Sequence, residues 1–456
     1  MKTRDVLRFL FASKYAAWPF ALLVVQQVIV ASSTVWLARF AAAAVSGGAF
    51  AGYGALYGVS LVLPYLPGML ALACVNLWDL DLNKRLVDRF VDKNQGQIAL
   101  WRNHGARAVR TSLLSKEGPQ ALQESANYFF DLFSTGLNIS MNAAVISFVI
   151  HPIFAASYAV GFALCALLIW RSQKRNETLA VQAQDSSVLF TGVMFRIWDN
   201  VLLANNLNLR EWRGNADAAF EGARRDRLKS VAFTQIMSGV TTVFAVLPVA
   251  AAVIWFLTVH PSRSPETAAL LITLPRLFMI LTVTFHLLSL SFGWVAHIAK
   301  VKAVFDGAED RSSAAADLRS QIDLDRITVE SGTNPAGPAN LEALQELLNR
   351  PGRHTIRGQN GAGKSALLLK LKEANVSRAT YIPASHDLDV RGLGRDQSTG
   401  QRAKGALTEI FRQDSSPVML LDEWDANLDA LNRELLSEAI QHESLKRCIV
   451  EVVHSR

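Results

Sequence analysis

The chain has 456 residues, half of them hydrophobic, a mean hydropathy of +0.20 and a formal net charge of +7. That length accommodates two or more domains, and so apolar a composition excludes an ordinary soluble protein. The basic residues cluster between apolar spans, as the positive-inside rule expects, so the charge is no argument for a nucleic-acid partner. Of the three cysteines, Cys74 and Cys165 fall in apolar spans and Cys448 in a buried strand, which excludes a disulfide framework or a cysteine zinc site.

Residues 1–15 are basic and amphipathic, with Lys2, Arg4 and Arg8 set against Leu7, Phe9, Leu10 and Phe11. That pattern predicts a helix lying along a membrane surface. A signal peptide is the competing reading of this end, but further apolar spans follow at once, so the first span is expected to be retained. Six spans are predicted, at about 18–42, 53–78, 127–150, 153–171, 231–258 and 267–297, each near the roughly 20 residues a bilayer core requires. His151-Pro152 makes a tight hairpin of the third and fourth, and Pro275 is placed to bend the sixth.

Two long loops, 79–126 and 171–230, carry most of the Lys and Arg, while Arg263 is the one basic residue in the short loops opposite. This asymmetry predicts an integral membrane protein, of the plasma (inner) membrane, with both termini and the C-terminal domain in the cytoplasm. Both loops read as helical. Each is expected to reverse on a short segment, one beginning at Ser115-Lys-Glu-Gly-Pro-Gln and the other near Val201–Asn208. A separate small domain in each loop is the alternative, and neither loop offers a strand-rich core for one. The expected domains are a transmembrane domain over 1–302, a linker over 303–324 and a nucleotide-binding domain over 325–456.

In that last domain Gly358-Gln359-Asn360-Gly361-Ala362-Gly363-Lys364-Ser365 fits GxxxxGK[S/T], between a short strand and a helix opening at Ala366. Backbone N–H groups of such a loop wrap phosphates; Lys364 reaches the β- and γ-phosphates and Ser365 holds Mg²⁺. Val418–Leu421 is an apolar strand ending in Asp422 and Glu423, which suits Asp422 as a second Mg²⁺ ligand and Glu423 as the group that orients attacking water.

Here the chain resembles the ATP-binding cassette of ABC transporters. Ser398, Gly400 and Gln401 match the signature motif in part. Ala426-Asn427-Leu428-Asp429 is similar to the D-loop, and His454 closes a strand where the switch histidine belongs. The resemblance implies that ATP and Mg²⁺ are bound between one phosphate loop and the signature of a second copy, or of a related half-transporter. It gives Lys364, Glu423 and His454 catalytic roles. Six spans, an elbow helix, two long inner loops and a terminal cassette resemble the family's exporters, in which the loop tips press on the cassettes. The fold class expected is therefore an α-helical membrane domain plus an α/β P-loop NTPase cassette with a shortened helical subdomain.

The stretch from Lys364 to Asp422 is far shorter than the family usually shows. Ala384 rather than glutamine follows Tyr381-Ile382-Pro383, and Ser331–Pro338 holds no aromatic residue to stack on adenine. Within the membrane, Arg276, His286, Gln26, Gln27, Asn138 and Asn142 are candidates to line a cavity. For the amides and His286, interhelical hydrogen bonding is the stronger reading, and for Arg276 snorkelling weighs equally. The expected function is ATP-driven export of a peptide, lipid or amphipathic small molecule. The alternatives are an ATP-binding membrane sensor with little turnover, or a different P-loop enzyme fused to a membrane domain.

Overall fold

A computed structural model describes residues 2–203, 205–259, 265–309, 318–332, 334–384, 388–389, 399–426 and 428–453. The chain divides into two compact units, Met1–Arg89 with Ser112–Ala308, and Phe90–Thr111 with Glu309–Arg456.

The first unit is built from helices. It begins with α1 (Thr3–Phe11), α2 (Ala17–Val45), α3 (Ala51–Val62) and α4 (Tyr65–Asn94); the last runs on beyond the unit. After α5 (His104–Ser112) come α6 (Gly118–Val149), α7 (Ile153–Met194), α8 (Ile197–Leu202), α9 (Asn206–Val259), α10 (Pro265–Ser291) and α11 (Trp294–Glu309). Among the described residues six helical stretches are long and apolar enough to cross a membrane; five coincide with the first five predicted spans, and the sixth, His286–Glu309, overlaps only the end of the predicted 267–297. The break between α6 and α7 falls at His151-Pro152. The helix α11 extends to Glu309, so the first residues of the expected linker are helical.

Lipid-facing character shows in large apolar side chains left outside, among them Val62, Tyr65, Phe148 and Trp170. Several of the residues buried between helices are hydroxylic. Ser33, Ser147 and Thr241 donate to backbone carbonyls one turn back, at 2.5, 2.6 and 2.7 Å. At Gly161 a Cβ would lie 2.9 Å from the Ala245 carbonyl, so glycine sets how closely α7 and α9 approach.

The residues Val6, Phe9 and Leu10 of α1 pack inside the unit, among Trp78, Leu82, Leu122 and Val301. Trp78 Nε1 and Arg85 donate to the Leu10 and Phe9 carbonyls at 2.9 and 2.8 Å, capping the end of α1. The first inner loop reverses over residues 95–103, not at Ser115–Gln120, where a π-turn (Leu113–Glu117) leads straight into α6. Pro119 lies in the first turn of that helix, where its missing N–H costs nothing.

The second unit is an α/β sandwich. Its strands are β1 (Ile327–Ser331), β2 (Asn334–Pro338), β3 (Gly352–Gly358), β4 (Ala379–Ile382), β5 (Val418–Asp422) and β6 (Cys448–Val452). Among the described residues they form one sheet in the order β2-β1-β3-β6-β5-β4. β3, β6, β5 and β4 are parallel, and the β1–β2 hairpin closes one edge antiparallel.

The continuous apolar runs of β5 and β6 place them in the buried centre of the sheet. Side chains alternate between faces. Val418 and Leu420 meet Leu367, Leu368 and Leu371 of α13 (Lys364–Ala374) and Leu344 of α12 (Leu341–Leu347). Met419 and Leu421 meet Leu407 of α14 (Thr399–Gln413) and Leu436 and Ile440 of α15 (Ala430–Ser444). With helices on both faces, the carboxyl ends of β3, β5 and β6 open along one edge, where such sheets carry their sites.

Candidate functional site

That edge carries the residues singled out in the sequence. Between β3 and α13 the chain turns through Gly361 and Gly363, at φ +86° and +88°. Left-handed glycines in succession turn backbone N–H groups into a concave nest suited to an anion. At Gly358 a Cβ would stand 2.6 Å from the Arg326 carbonyl, and at Gly363 2.1 Å from that of Gln321, so the loop is hemmed in by the segment before β1. Asp323 N also donates to the Ala362 carbonyl at 3.0 Å.

Lys364 Nζ folds back along the loop and donates to the carbonyls of Gly358 (2.8 Å) and Gln359 (3.3 Å). Ser365 Oγ donates to Asp422 Oδ1 at 3.0 Å. Asp422 is 4% exposed. Its second oxygen accepts from the phenol of Tyr381 at 2.8 Å. Burial, and next the Asp422 carboxylate beside it, raise the Tyr381 pKa, so the phenol keeps the proton it donates.

Glu423 follows at φ +45°, the one non-glycine residue with positive φ among the described residues. Its N–H donates to the Val452 carbonyl at 2.9 Å, which holds that conformation. The next residue is pinned as well. Trp424 Nε1 donates to Glu451 at 2.9 Å; that buried carboxylate also receives Arg353 through Nε at 2.8 Å and NH2 at 3.1 Å, and Thr355 at 2.9 Å. The bend carrying Glu423 is thus fixed to the central strand.

Lys364, Ser365 and Glu423 share a cleft of about 570 Å³, lined also by Asn360, Gly361, Gly363, Arg102 and Ser320–Asp323. A loop of inward N–H groups with a lysine suits phosphate. A hydroxyl and a carboxylate 3.0 Å apart, with a second carboxylate on the same edge, suit a hard divalent cation with oxygen ligands. Ala366 is buried under the loop against Leu318 and Leu369.

Asp429 is not among the residues that line the cleft. Asp429 caps α15, its carboxylate accepting from Asn432 N and Nδ2 at 2.7 and 2.8 Å. Gly400 and Gln401 lie in the first turn of α14. Ser398 and His454 fall outside the described residues. Tyr381 and Arg102 were not singled out from the sequence. The pairing of Ile382 with Leu421 brings Tyr381 near Asp422, and no local pattern signals that.

In the membrane unit Asn138 Nδ2 donates to Gln27 at 2.8 Å and Asn142 Nδ2 to the Asn138 carbonyl at 2.7 Å, so these amides bond between and along helices. Gln26 packs over Gly68. The side chain of Arg276 is outside the described set, and His286 is exposed. Compared with known proteins, the sequence matches no family model and no curated protein.

Proposed function

We propose that the chain is an ATP-driven, exporter-type half-transporter with a reduced ATP-binding cassette, working as a pair with a second copy or a related partner. The observation that carries this is the convergence of Lys364, Ser365 and Glu423 on one cleft at the carboxyl edge of the sheet, with Asp422 hydrogen-bonded to Ser365 behind them. The order of the sheet supports it: β6 lies between β3 and β5, leaving room for phosphates between the Gly358–Ser365 loop and the acidic bend.

In this reading the loop N–H groups and Lys364 bind the phosphates of ATP, Lys364 exchanging its two carbonyls for phosphate oxygens. Ser365 and Asp422 hold Mg²⁺, which neutralises charge on the transferring phosphate. Glu423 orients the attacking water from a backbone already fixed to β6. His454, Ser398, Gly400, Gln401 and Asp429 keep the roles that family resemblance gives them, across a pair of cassettes. The cargo class is apolar or amphipathic. A groove of about 670 Å³ in the membrane unit is lined by Phe11, Phe20, Phe129, Phe133 and Leu137, with Ser140 the one polar side chain among the described residues that line it. The positive-inside asymmetry puts the cassette in the cytoplasm, where ATP is.

A second reading, an ATP-binding sensor with little turnover, is favoured by the single helix α14 between β4 and β5 among the described residues. One experiment separates the two. Purified protein in lipid is assayed for ATP hydrolysis beside Glu423→Gln. Activity lost in the variant supports the transporter; equal rates in both leave it without a catalytic site.

A further inference from the structure

The cleft contains a charged group that no phosphate-loop motif predicts. Residues Phe90–Thr111, the tip of the first inner loop, belong to the same compact unit as the sheet. After α4 the chain turns at Gly96, φ +80°, into a short 3-10 turn, Ile98–Leu100. Ile98 and Ala99 pack on Leu318, Ala366 and Leu369, the last two from α13, the helix that the glycine-rich loop opens. Just beyond, Asn103 N donates to the Leu100 carbonyl at 3.0 Å, and its side chain accepts from Ala106 N at 2.9 Å. Arg102 is thus held between two fixed points. It lines the cleft with Lys364, Ser365 and Glu423, is exposed, and has no ion-pair partner among the described residues.

We propose that Arg102 is a phosphate-contacting residue of the nucleotide site, delivered by the inner loop, and that it reads the terminal phosphate, so that this loop tells ATP from ADP. The proposal rests on the nucleotide reading above. The side of the cleft decides which phosphate is meant. Arg102 lines the cleft with Ser365, whose hydroxyl donates to Asp422 at 3.0 Å and so marks the cation end. Glu423, at the same end, faces where water attacks the terminal phosphate. A guanidinium presents a planar fork to two phosphate oxygens, a geometry a lysine ammonium does not reproduce. With ADP bound, Lys364 keeps a phosphate partner and Arg102 has none.

The test uses the full-length protein in lipid nanodiscs, with Glu423→Gln in every sample to stop turnover. Dissociation constants are measured for fluorescent ATP and ADP with no further change, with Arg102→Ala, with Arg102→Lys and with Lys364→Ala. The expected result is ATP binding weakened about tenfold or more by Arg102→Ala, a charge-assisted contact being lost, with ADP binding within about twofold and the lysine variant in between. Retained ADP binding also shows that the variant is folded. Equal effects on ATP and ADP, or none on either, overturn the role of Arg102 and leave the nucleotide site standing. No binding of either nucleotide before Arg102 is changed, matching Lys364→Ala, overturns the nucleotide reading and this proposal with it.

Discussion

Gly361 and Gly363 share nearly the same φ yet differ in what surrounds them. A Cβ at Gly361 meets nothing within 4 Å, whereas at Gly363 it would stand 2.1 Å from the Gln321 carbonyl. Gly361→Ala is therefore expected to cost only the left-handed strain of a non-glycine residue, about 1–2 kcal/mol. Gly363→Ala must in addition push the segment before β1 off the loop. Thermal unfolding of the two variants side by side should show a small shift for the first and a much larger loss for the second. Tyr381→Phe makes a separate test. It strips one donor from a buried carboxylate, at a cost of about 1–3 kcal/mol, and should lower the unfolding midpoint by several degrees unless Mg²⁺ and nucleotide are present. The glycines were readable from the sequence because their spacing is local. Tyr381 was not, since the strand pairing that brings it to Asp422 joins segments far apart in the chain.

Among the elements, β6 does most to fix the site. It lies between the strand of the loop and the strand of Asp422, and its Glu451 ties together Arg353, Thr355 and Trp424. Glu451→Ala leaves Arg353 without its partner in a mostly buried place. It should destabilise this unit by about 3–5 kcal/mol and shift the emission of Trp424. β5 was legible as an apolar run ending in acids, β1 by the alternation of Ile327 and Val329, and β6 as an apolar run; β4 was not read as a strand. The β2 edge strand was not, because Asn334–Pro338 is a sequence of proline, glycine and alanine that reads as a turn; it pairs only because β1 offers it an open edge. The reversal of the first inner loop was misplaced for a similar reason. Gly118-Pro119 has turn composition, but a proline in the first turn of a helix breaks nothing, and the actual turn hangs on Gly96 and on the packing of Ile98 and Ala99 against α13.

At the scale of the molecule, stability should depend on pH in two steps. Burial lowers the pKa of His354 below its usual 6.5, so the folded chain takes up this proton less readily than the unfolded one. Its contribution is full above about pH 6.5 and is lost as pH falls through the lower folded value. Burial alone would raise the pKa of Glu443, but hydrogen bonds from Lys446 and Arg447 outweigh it and lower it from 4.5. A second decline is therefore expected below pH 4.5. Unfolding midpoints of the whole protein in detergent, followed from about pH 8 to about pH 2, should show both steps; His354→Gln should remove the first and spare the second. The spans and the hairpin at His151-Pro152 were clear in the hydropathy, which reports each helix's own surface. The division of the chain was not, since no composition shift marks residues 90–111 as part of the C-terminal unit.

That division has a consequence for biogenesis. The tip of the first inner loop leaves the ribosome long before Leu318, Ala366 and Leu369, the residues it packs against, have been made. Until then Ile98 and Ala99 have no apolar surface to close on, and afterwards the C-terminal segment must fold onto a loop already held by inserted helices. The C-terminal domain is therefore expected not to fold on its own when cut free at the linker. A fragment starting at Glu309 would expose the patch meant for the loop, and is expected to aggregate where the full chain does not.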